Sequence, residues 1–325
     1  MKNVALERLT SNKIANRQVI SDTLLASGKE NADILVLTSD SRGSASMVKF
    51  AEELPDQLVE VGIAEQNLVG VAAGLAHSGK KPFVASPACF LSMRCIEQIK
   101  VDVAYSQTNV KLIGISGGVS YGALGTSHHS VQDLAVTRAI PGIDVMMPAD
   151  RHEAKKMIRA LIDYPYPVYL RVGRNPVEDC YLNEDYDFEI GKAVEMNAGV
   201  DLTIIATGES VRIALDTARE LQKEGINARV LNFHTIKPLD EEAIIKAAKE
   251  TGKIITIEEH SICGGLGAAV AEVVVQHNPV PMKIIGIPDE PAIAGKSAEV
   301  FDHYGLSVEN IKTIAKELLD DRGVC

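Results

Sequence analysis

Four stretches of this sequence combine residue types that could do chemistry. Gly114-Ile-Ser-Gly-Gly118 matches the Gly-x-Ser-x-Gly pattern of a nucleophile elbow and follows an apolar run. It puts Ser116 forward as the nucleophile of a serine hydrolase. An elbow needs a helix to start directly behind the serine. Here the chain runs on through Gly117, Gly118, Gly122 and Gly125 to His128 and His129. A loop of that length at a strand end is too long for a plain connector, and ligands of open α/β sheets bind at such ends. Imidazoles can exchange protons near neutral pH. No Cys, Asp or Glu accompanies the pair at metal-ligand spacing, so no metal site is expected.

The second stretch runs from Val59 to Asn67 and carries Glu65 at the start of a helical pattern of Ala, Leu, Val and Gly. Taken alone, Glu65 reads as an acidic residue on a helix dipole, which contributes about 0.3–1 kcal/mol. The third, Cys263-Gly-Gly-Leu-Gly267, precedes an apolar helix like a phosphate loop but lacks the Lys-Ser/Thr of one. A close-packed turn is expected there. The fourth, Glu258-Glu-His260, ends an apolar run and reads as a solvated or interface edge.

These residues need a scaffold. Short apolar, β-branched runs at 33–38, 57–61, 82–86, 110–116, 143–147 and 167–172, most of them continuous in V/I/L, alternate with helical patterns, and further runs follow at 201–207, 228–233, 253–258 and 282–287. Continuous rather than alternating apolar runs mark strands buried on both faces, hence parallel sheet and an α/β fold. Asp150 and Glu153 form a capping-box-like helix start, and Gly79 and Gly225 mark helix stops. The acidic, aperiodic stretch 175–192 reads as an interdomain linker. The expectation is two doubly wound domains: a six-stranded, mainly parallel one over 1–178, a linker over 179–192, and a smaller one over 193–325.

Composition narrows the partners. With 44 acidic against 33 basic residues the net charge is −11, aromatics are 4% and Trp is absent. That argues against nucleic acid and anionic membranes. No run approaches bilayer length, and residues 1–20 include Glu7 and lack an apolar signal core. Five cysteines without ligand spacing fit a reduced, cytoplasmic protein.

One family carries these motifs in this order. Gly62-Ile-Ala-Glu-Gln-Asn67, Phe90-Leu-Ser-Met-Arg94, Gly125-Thr-Ser-His-His129, Met147-Pro-Ala-Asp150 and Leu170-Arg-Val-Gly-Arg174 resemble the pyrimidine-binding domain of the transketolase family of thiamine diphosphate enzymes. Ala206-Thr-Gly-Glu-Ser210, Ile236-Lys-Pro-Leu-Asp240 and the stretch from Gly264 to Glu272 resemble its C-terminal domain. Gly-Asp-Gly, which in the family begins the diphosphate and Mg²⁺ site, occurs nowhere here. The chain thus looks like the C-terminal half of a split transketolase. A partner N-terminal subunit would carry the diphosphate/Mg²⁺ domain, in an α2β2 assembly.

The resemblance assigns roles. Glu65 would hydrogen-bond the cofactor's pyrimidine nitrogen and promote loss of its reactive proton. Phe90 would pack on that ring, Ile63 would lie near the cofactor's bend, and Asp40 would stand close to cofactor and substrate. His128 would reach substrate hydroxyls, while Arg17, Ser44 and Arg174 would grip a sugar phosphate. Where common sugar transketolases have a second His and an Asp, Ser116 and Leu124 stand here. That points to a branched or otherwise modified ketose phosphate. Sister readings with the same cofactor are a deoxyxylulose-phosphate-synthase-like enzyme and the β subunit of a 2-oxo acid dehydrogenase.

Overall fold

The structure is a computed structural model that describes residues 13–320; Glu7 and Cys325 lie outside the described residues. Fourteen strands are formed among the described residues: β1 (Ile14–Ala15), β2 (Ile34–Thr38), β3 (Leu58–Glu60), β4 (Lys81–Pro87), β5 (Lys111–Ile115), β6 (Asp144–Met146), β7 (Val168–Arg171), β8 (Pro176–Val177), β9 (Val194–Asn197), β10 (Leu202–Ala206), β11 (Ala228–Asn232), β12 (Thr235–Lys237), β13 (Ile254–Ser261) and β14 (Met282–Ile287). Every apolar run singled out in the sequence holds one of them.

The first sheet has the order β12-β6-β7-β5-β4-β2-β3, and all its pairings are parallel except β12 with β6. Six of its strands match the sequence expectation. The seventh, β12, comes from the second half of the chain, so the six-stranded reading is corrected to seven. Without it, the outer edge of β6 would leave backbone groups unpaired. A three-residue strand from the other domain supplies partners for them, and so short a strand has no periodicity to read. The second sheet has the order β14-β13-β10-β11-β9, parallel except for β9.

Helices cover both faces of each sheet, and the core follows from that layering. One cluster packs Ile20, Leu24, Phe50, Met157 and Leu161 on one face of the first sheet. A second runs from Leu37, Leu68 and Leu112 on the other face through to Phe233, Ile236, Leu266 and Val270 of the second half. A third fills the far side of the second sheet, where Leu202, Ile204 and Ala206 of β10 pack with Leu215 and Ile311. Each fully buried Leu or Ile contributes about 1.5–3 kcal/mol over an exposed one. The middle cluster therefore joins the two halves through a shared core.

Two local stretches have contacts that the sequence does not show. The 175–192 stretch, read as an interdomain linker, is not exposed at Asp179, Cys180 and Tyr181. Asp150 caps helix Arg151–Asp163 through the N–H groups of His152 and Glu153, and its second oxygen accepts from the N–H groups of Cys180 and Tyr181. Tyr181 in turn donates to Glu153 at 2.9 Å. Glu258, Glu259 and His260 are not at an edge either: β13 lies between β10 and β14, and all three residues are buried.

Candidate active site

In a parallel sheet all C-terminal strand ends face one edge, and five such ends deliver the expected residues. Asp40 follows β2, Ile63 and Glu65 follow β3, Phe90 follows β4, the loop with His128 follows β5, and Arg174 follows β7. Arg17 reaches the same place by another device. The two-residue strands β1 and β8 pair antiparallel, Ile14 with Val177 and Ala15 with Pro176, which sets the first turn of helix Asn16–Glu30 against Arg174.

From these positions the side chains form one continuous row. Glu65, 4% exposed at the start of helix Glu65–His77, accepts from Arg94 Nη1 at 3.1 Å on both oxygens. The Arg94 guanidinium lies over the Phe90 ring at 3.9 Å. Phe90 meets the His128 ring edge-on at 5.3 Å, and His128 meets Tyr121 likewise at 5.4 Å. Arg174 lies 5.3 Å over Tyr121. Arg17 donates to the Arg174 carbonyl at 3.1 Å and to the Ser44 carbonyl at 2.5 Å. Six of the eight expected residues thus fall on the row, Ser44 through its carbonyl oxygen. The other two, Asp40 and Ile63, flank its Glu65 end.

The cationic end has an electrostatic character of its own. Burial first, and then the charge of Arg174, hold the Arg17 guanidinium below its usual pKa. Arg174 Nη1 is buried and has no hydrogen-bond partner within the described residues. Two guanidiniums held side by side with an unused donor suit a doubly charged oxyanion, which a guanidinium can bind through two oxygens at once. A hollow of about 430 Å³ opens at Asp40, lined also by Arg42, Gly43 and Val48. Another of about 440 Å³ between the first helix and helix Arg151–Asp163 contains cations too, but Lys155 and Arg159 there are paired with Glu184.

Sequence reasoning missed three residues of the row's framework. Glu60 closes β3 and accepts from the N–H groups of Asp40 at 2.7 Å and Gly62 at 3.0 Å, and from the Thr38 hydroxyl at 2.8 Å. It ties together the loops of Asp40 (φ 55°) and Gly62 (φ 71°). Burial pushes its carboxyl pKa up, but those donors and Arg42 outweigh burial and hold it below the ordinary value. The available signal was an acidic residue closing an apolar strand just before Gly62. Arg94 and Tyr121, which bridge Glu65 to Phe90 and His128 to Arg174, gave no spacing signal.

The other candidates separate clearly. Of the two adjacent histidines, only His128 is on the row, with Nδ1 2.9 Å from the Ser127 hydroxyl. His129 is buried and bonds the Gly122 carbonyl through Nε2 at 3.0 Å, and burial lowers its pKa. Ser116 has the positive φ of an elbow, 57°, but it is completely buried, and the next α-helix starts only at Asp133. The hydrolase reading fails on that geometry, and Ser116 does not line the open face. Leu124 is 54% exposed. The Cys263–Gly267 turn is close-packed as expected: the Glu258 carboxylate accepts from the N–H groups of Leu266 at 2.7 Å and Gly267 at 2.8 Å, filling the helix N-terminus from inside.

The chain also matches known proteins over most of its length. Residues 12–178 match the transketolase pyrimidine-binding domain, and residues 191–311 match the transketolase C-terminal domain. The chain is 54% identical, over 96% of its length and 99% of the relative's, to a subunit of the apulose-4-phosphate transketolase of Phocaeicola vulgatus. It is 37% identical to a 6-deoxy-6-sulfo-D-fructose transketolase subunit of a Clostridium species, over 94% of each chain. A solved split-gene transketolase, described as an inactive beta4 tetramer, superposes with a TM-score of 0.86 at 36% identity, covering 94% of this chain and 98% of that one. With the row of Glu65, Phe90, His128 and the two arginines built on that scaffold, the chain belongs to the transketolase family and is a subunit of a split enzyme.

Proposed function

We propose that this subunit provides the pyrimidine-binding half of a thiamine diphosphate site and the phosphate grip of a transketolase for a branched ketose phosphate, of the kind named for its Phocaeicola relative. The observation that carries the reading is the single row from Glu65 to Arg17, which sets a buried carboxylate, an aromatic ring, an imidazole and a pair of guanidiniums in the order that ketol transfer needs. The division between its two domains is put at 179–192.

The residues suit the cofactor's pyrimidine half. Glu65 is a buried carboxylate linked through Arg94 to the Phe90 ring, and Ile63, two residues earlier and 74% exposed, gives an apolar surface. When bound, thiamine diphosphate would supply a nucleophilic carbon. Glu65, paired with Arg94 in this structure, would hold a proton at the pyrimidine nitrogen. Phe90 supports the ring face, and His128 hydrogen-bonds the oxygens of the transferred unit. Arg17 and Arg174 bind the phosphate at the far end of the row, which fixes the distance between phosphate and reacting carbon. Asp40 stands where the loops tied by Glu60 meet the site.

The diphosphate and Mg²⁺ ligands are assigned to an N-terminal partner subunit in an α2β2 assembly. Exposed Ile63 and Met93 beside Glu65 and Phe90 support cover by another chain. Cys89, Cys95, Cys180 and Cys263 are free thiols, which supports placement in the reducing cytoplasm. Among the described residues, no helix is long and apolar enough to cross a membrane.

Leu124 gives the substrate reading its edge. An Asp would accept from one sugar hydroxyl and reject sugars lacking it, whereas Leu124 packs on carbon. The test is kcat/KM of the reconstituted enzyme on a panel of ketose phosphates. A branched ketose phosphate is expected to be preferred over xylulose 5-phosphate. Leu124→Asp should move the ratio toward xylulose 5-phosphate by about 1–3 kcal/mol, the scale of one pocket contact. A wild type that prefers xylulose 5-phosphate contradicts the substrate class.

A further inference from the structure

Strand β13 carries two buried carboxylates side by side, and the chemistry above uses neither. Glu258 turns inward and caps helix Leu266–His277. Glu259 points the other way, out of the C-terminal domain and into the base of the His128 loop. Its Oε1 accepts from the Val119 N–H at 2.8 Å. Arg171, 1% exposed at the end of β7, donates through Nη2 to the Glu259 carbonyl at 2.6 Å and lies 3.6 Å from its carboxylate. Arg171 Nε is 3.7 Å from Asp133, just beyond the loop.

The loop is shaped to sit on that pair. A Cβ on Gly117 would come within 2.2 Å of Arg171 Nε, and one on Gly118 within 2.2 Å of the Glu259 carboxyl carbon. Gly118, at φ 59°, exchanges two backbone hydrogen bonds with Ser130, at 3.0 and 2.8 Å. The next residue, Val131, accepts from the Ser261 N–H at 2.9 Å. Both ends of the loop therefore meet at one buried point, and β13 supplies partners to each end. Farther out, Thr126 donates to the Ala292 carbonyl at 3.0 Å, again in the C-terminal domain.

A carboxylate removed from water is costly unless it is paired and hydrogen-bonded. The partners of Glu259 are a guanidinium from the first sheet and a loop N–H, so its burial is compensated only while the loop base keeps this geometry. Ser130 is two residues from His128, whose ring must stand between Phe90 and Tyr121. We propose that Glu259, together with Arg171, is a positioning residue for ketol transfer: the C-terminal domain fixes the base of the loop and thereby the place of His128 against the substrate. This rests on the reading that His128 contacts the substrate. Glu65 and Phe90 hang on separate helices, Glu65–His77 and Ala88–Arg94. Cofactor activation and substrate positioning are thus held by different anchors.

The test uses the reconstituted enzyme with thiamine diphosphate and Mg²⁺, carrying Glu259→Ala, Glu259→Gln or Gly118→Ala. Glu259→Gln keeps an acceptor for the Val119 N–H. Gly118→Ala pushes the loop off its seat while leaving the C-terminal domain unaltered, and so guards against misfolding of Glu259→Ala. Three readouts are compared: amide hydrogen exchange of 117–131, proton exchange at the thiazolium C2, and kcat for ketol transfer. In Glu259→Ala and Gly118→Ala, loop exchange should speed up by about 10-fold or more, as local opening becomes easier. Transfer should fall about 10²-fold, the cost of a misplacement near 1 Å, while C2 exchange stays within about twofold of wild type. Glu259→Gln should recover most of the loss. Unchanged loop exchange in both variants, or C2 exchange falling in step with transfer, overturns the proposal. So does normal transfer despite faster loop exchange. In that last case His128→Ala tells which reading failed: a crippled His128→Ala leaves only the anchoring wrong, and a silent one removes the role of His128 as well.

Discussion

Two glycine-rich loops of this chain begin alike and end in opposite states. Both follow a parallel strand, β5 for the loop with His128 and β13 for the Cys263–Gly267 turn. In the second, the N–H groups at the start of the following helix already have a partner, because the Glu258 carboxylate reaches them from its own strand. In the first, the base is buried on Arg171 and Glu259 while Leu124 faces outward. Glycine content alone therefore does not make a binding loop. What matters is whether the groups a ligand would use are satisfied from within the protein. The unused donor of Arg174 is the counterpart at the first loop.

This contrast can be broken by mutation, and the largest effect is expected at Glu65. Glu65→Gln keeps the shape but removes the ionisable group, so C2 proton exchange and ketol transfer should fall by roughly 10²–10⁴-fold, the scale of a lost general acid–base contribution. Folding should survive, since a glutamate on a helix dipole contributes about 0.3–1 kcal/mol. Measured in the reconstituted enzyme, wild-type C2 exchange would return Glu65 to the status of a dipole residue paired with Arg94.

A smaller loss is expected at the phosphate end. Arg17→Ala and Arg174→Ala should each lower kcat/KM on phosphorylated ketoses by about 10–150-fold, from loss of a charge-assisted bond of about 1.5–3 kcal/mol. Unphosphorylated analogues should change little. Equal losses on both would show that the arginines brace β1 and β8 rather than grip substrate.

The packed turn should answer in stability alone. Gly264 sits at φ 82°, and a Cβ there would lie 2.8 Å from that of Ala135. Gly264→Ala should cost about 1–3 kcal/mol from forcing a side chain into that conformation, read as a lowered Tm. The preference among ketose phosphates should stay at the wild-type ratio. A changed preference would mean that the turn takes part in substrate binding.

Much of this is legible in the sequence, for identifiable reasons. Strands buried on both faces must be V/I/L-rich, so β2, β5 and β10 announce themselves and their parallel pairing. Once the sheet is parallel, residues just past the strand ends share an edge, so Glu65, Phe90 and His128 are expected together. What the sequence hides are partners distant in the chain. Glu258 and Glu259 look solvated in isolation, and their donors come from residues 266, 267, 119 and 171. Strand β12 is too short for a pattern and pairs across the two halves. The stretch around Cys180 and Tyr181 looks like a tether because nothing local shows that Asp150 binds its N–H groups.

The proposed function centres on the row being one half of a site completed by another subunit. The direct measurement is ketol transfer by the purified chain with thiamine diphosphate and Mg²⁺, alone and after addition of an N-terminal transketolase subunit. The predicted result is no transfer by the chain alone, in keeping with the inactive tetramer of its structural relative, and transfer restored on mixing. Robust transfer by the single chain would contradict it.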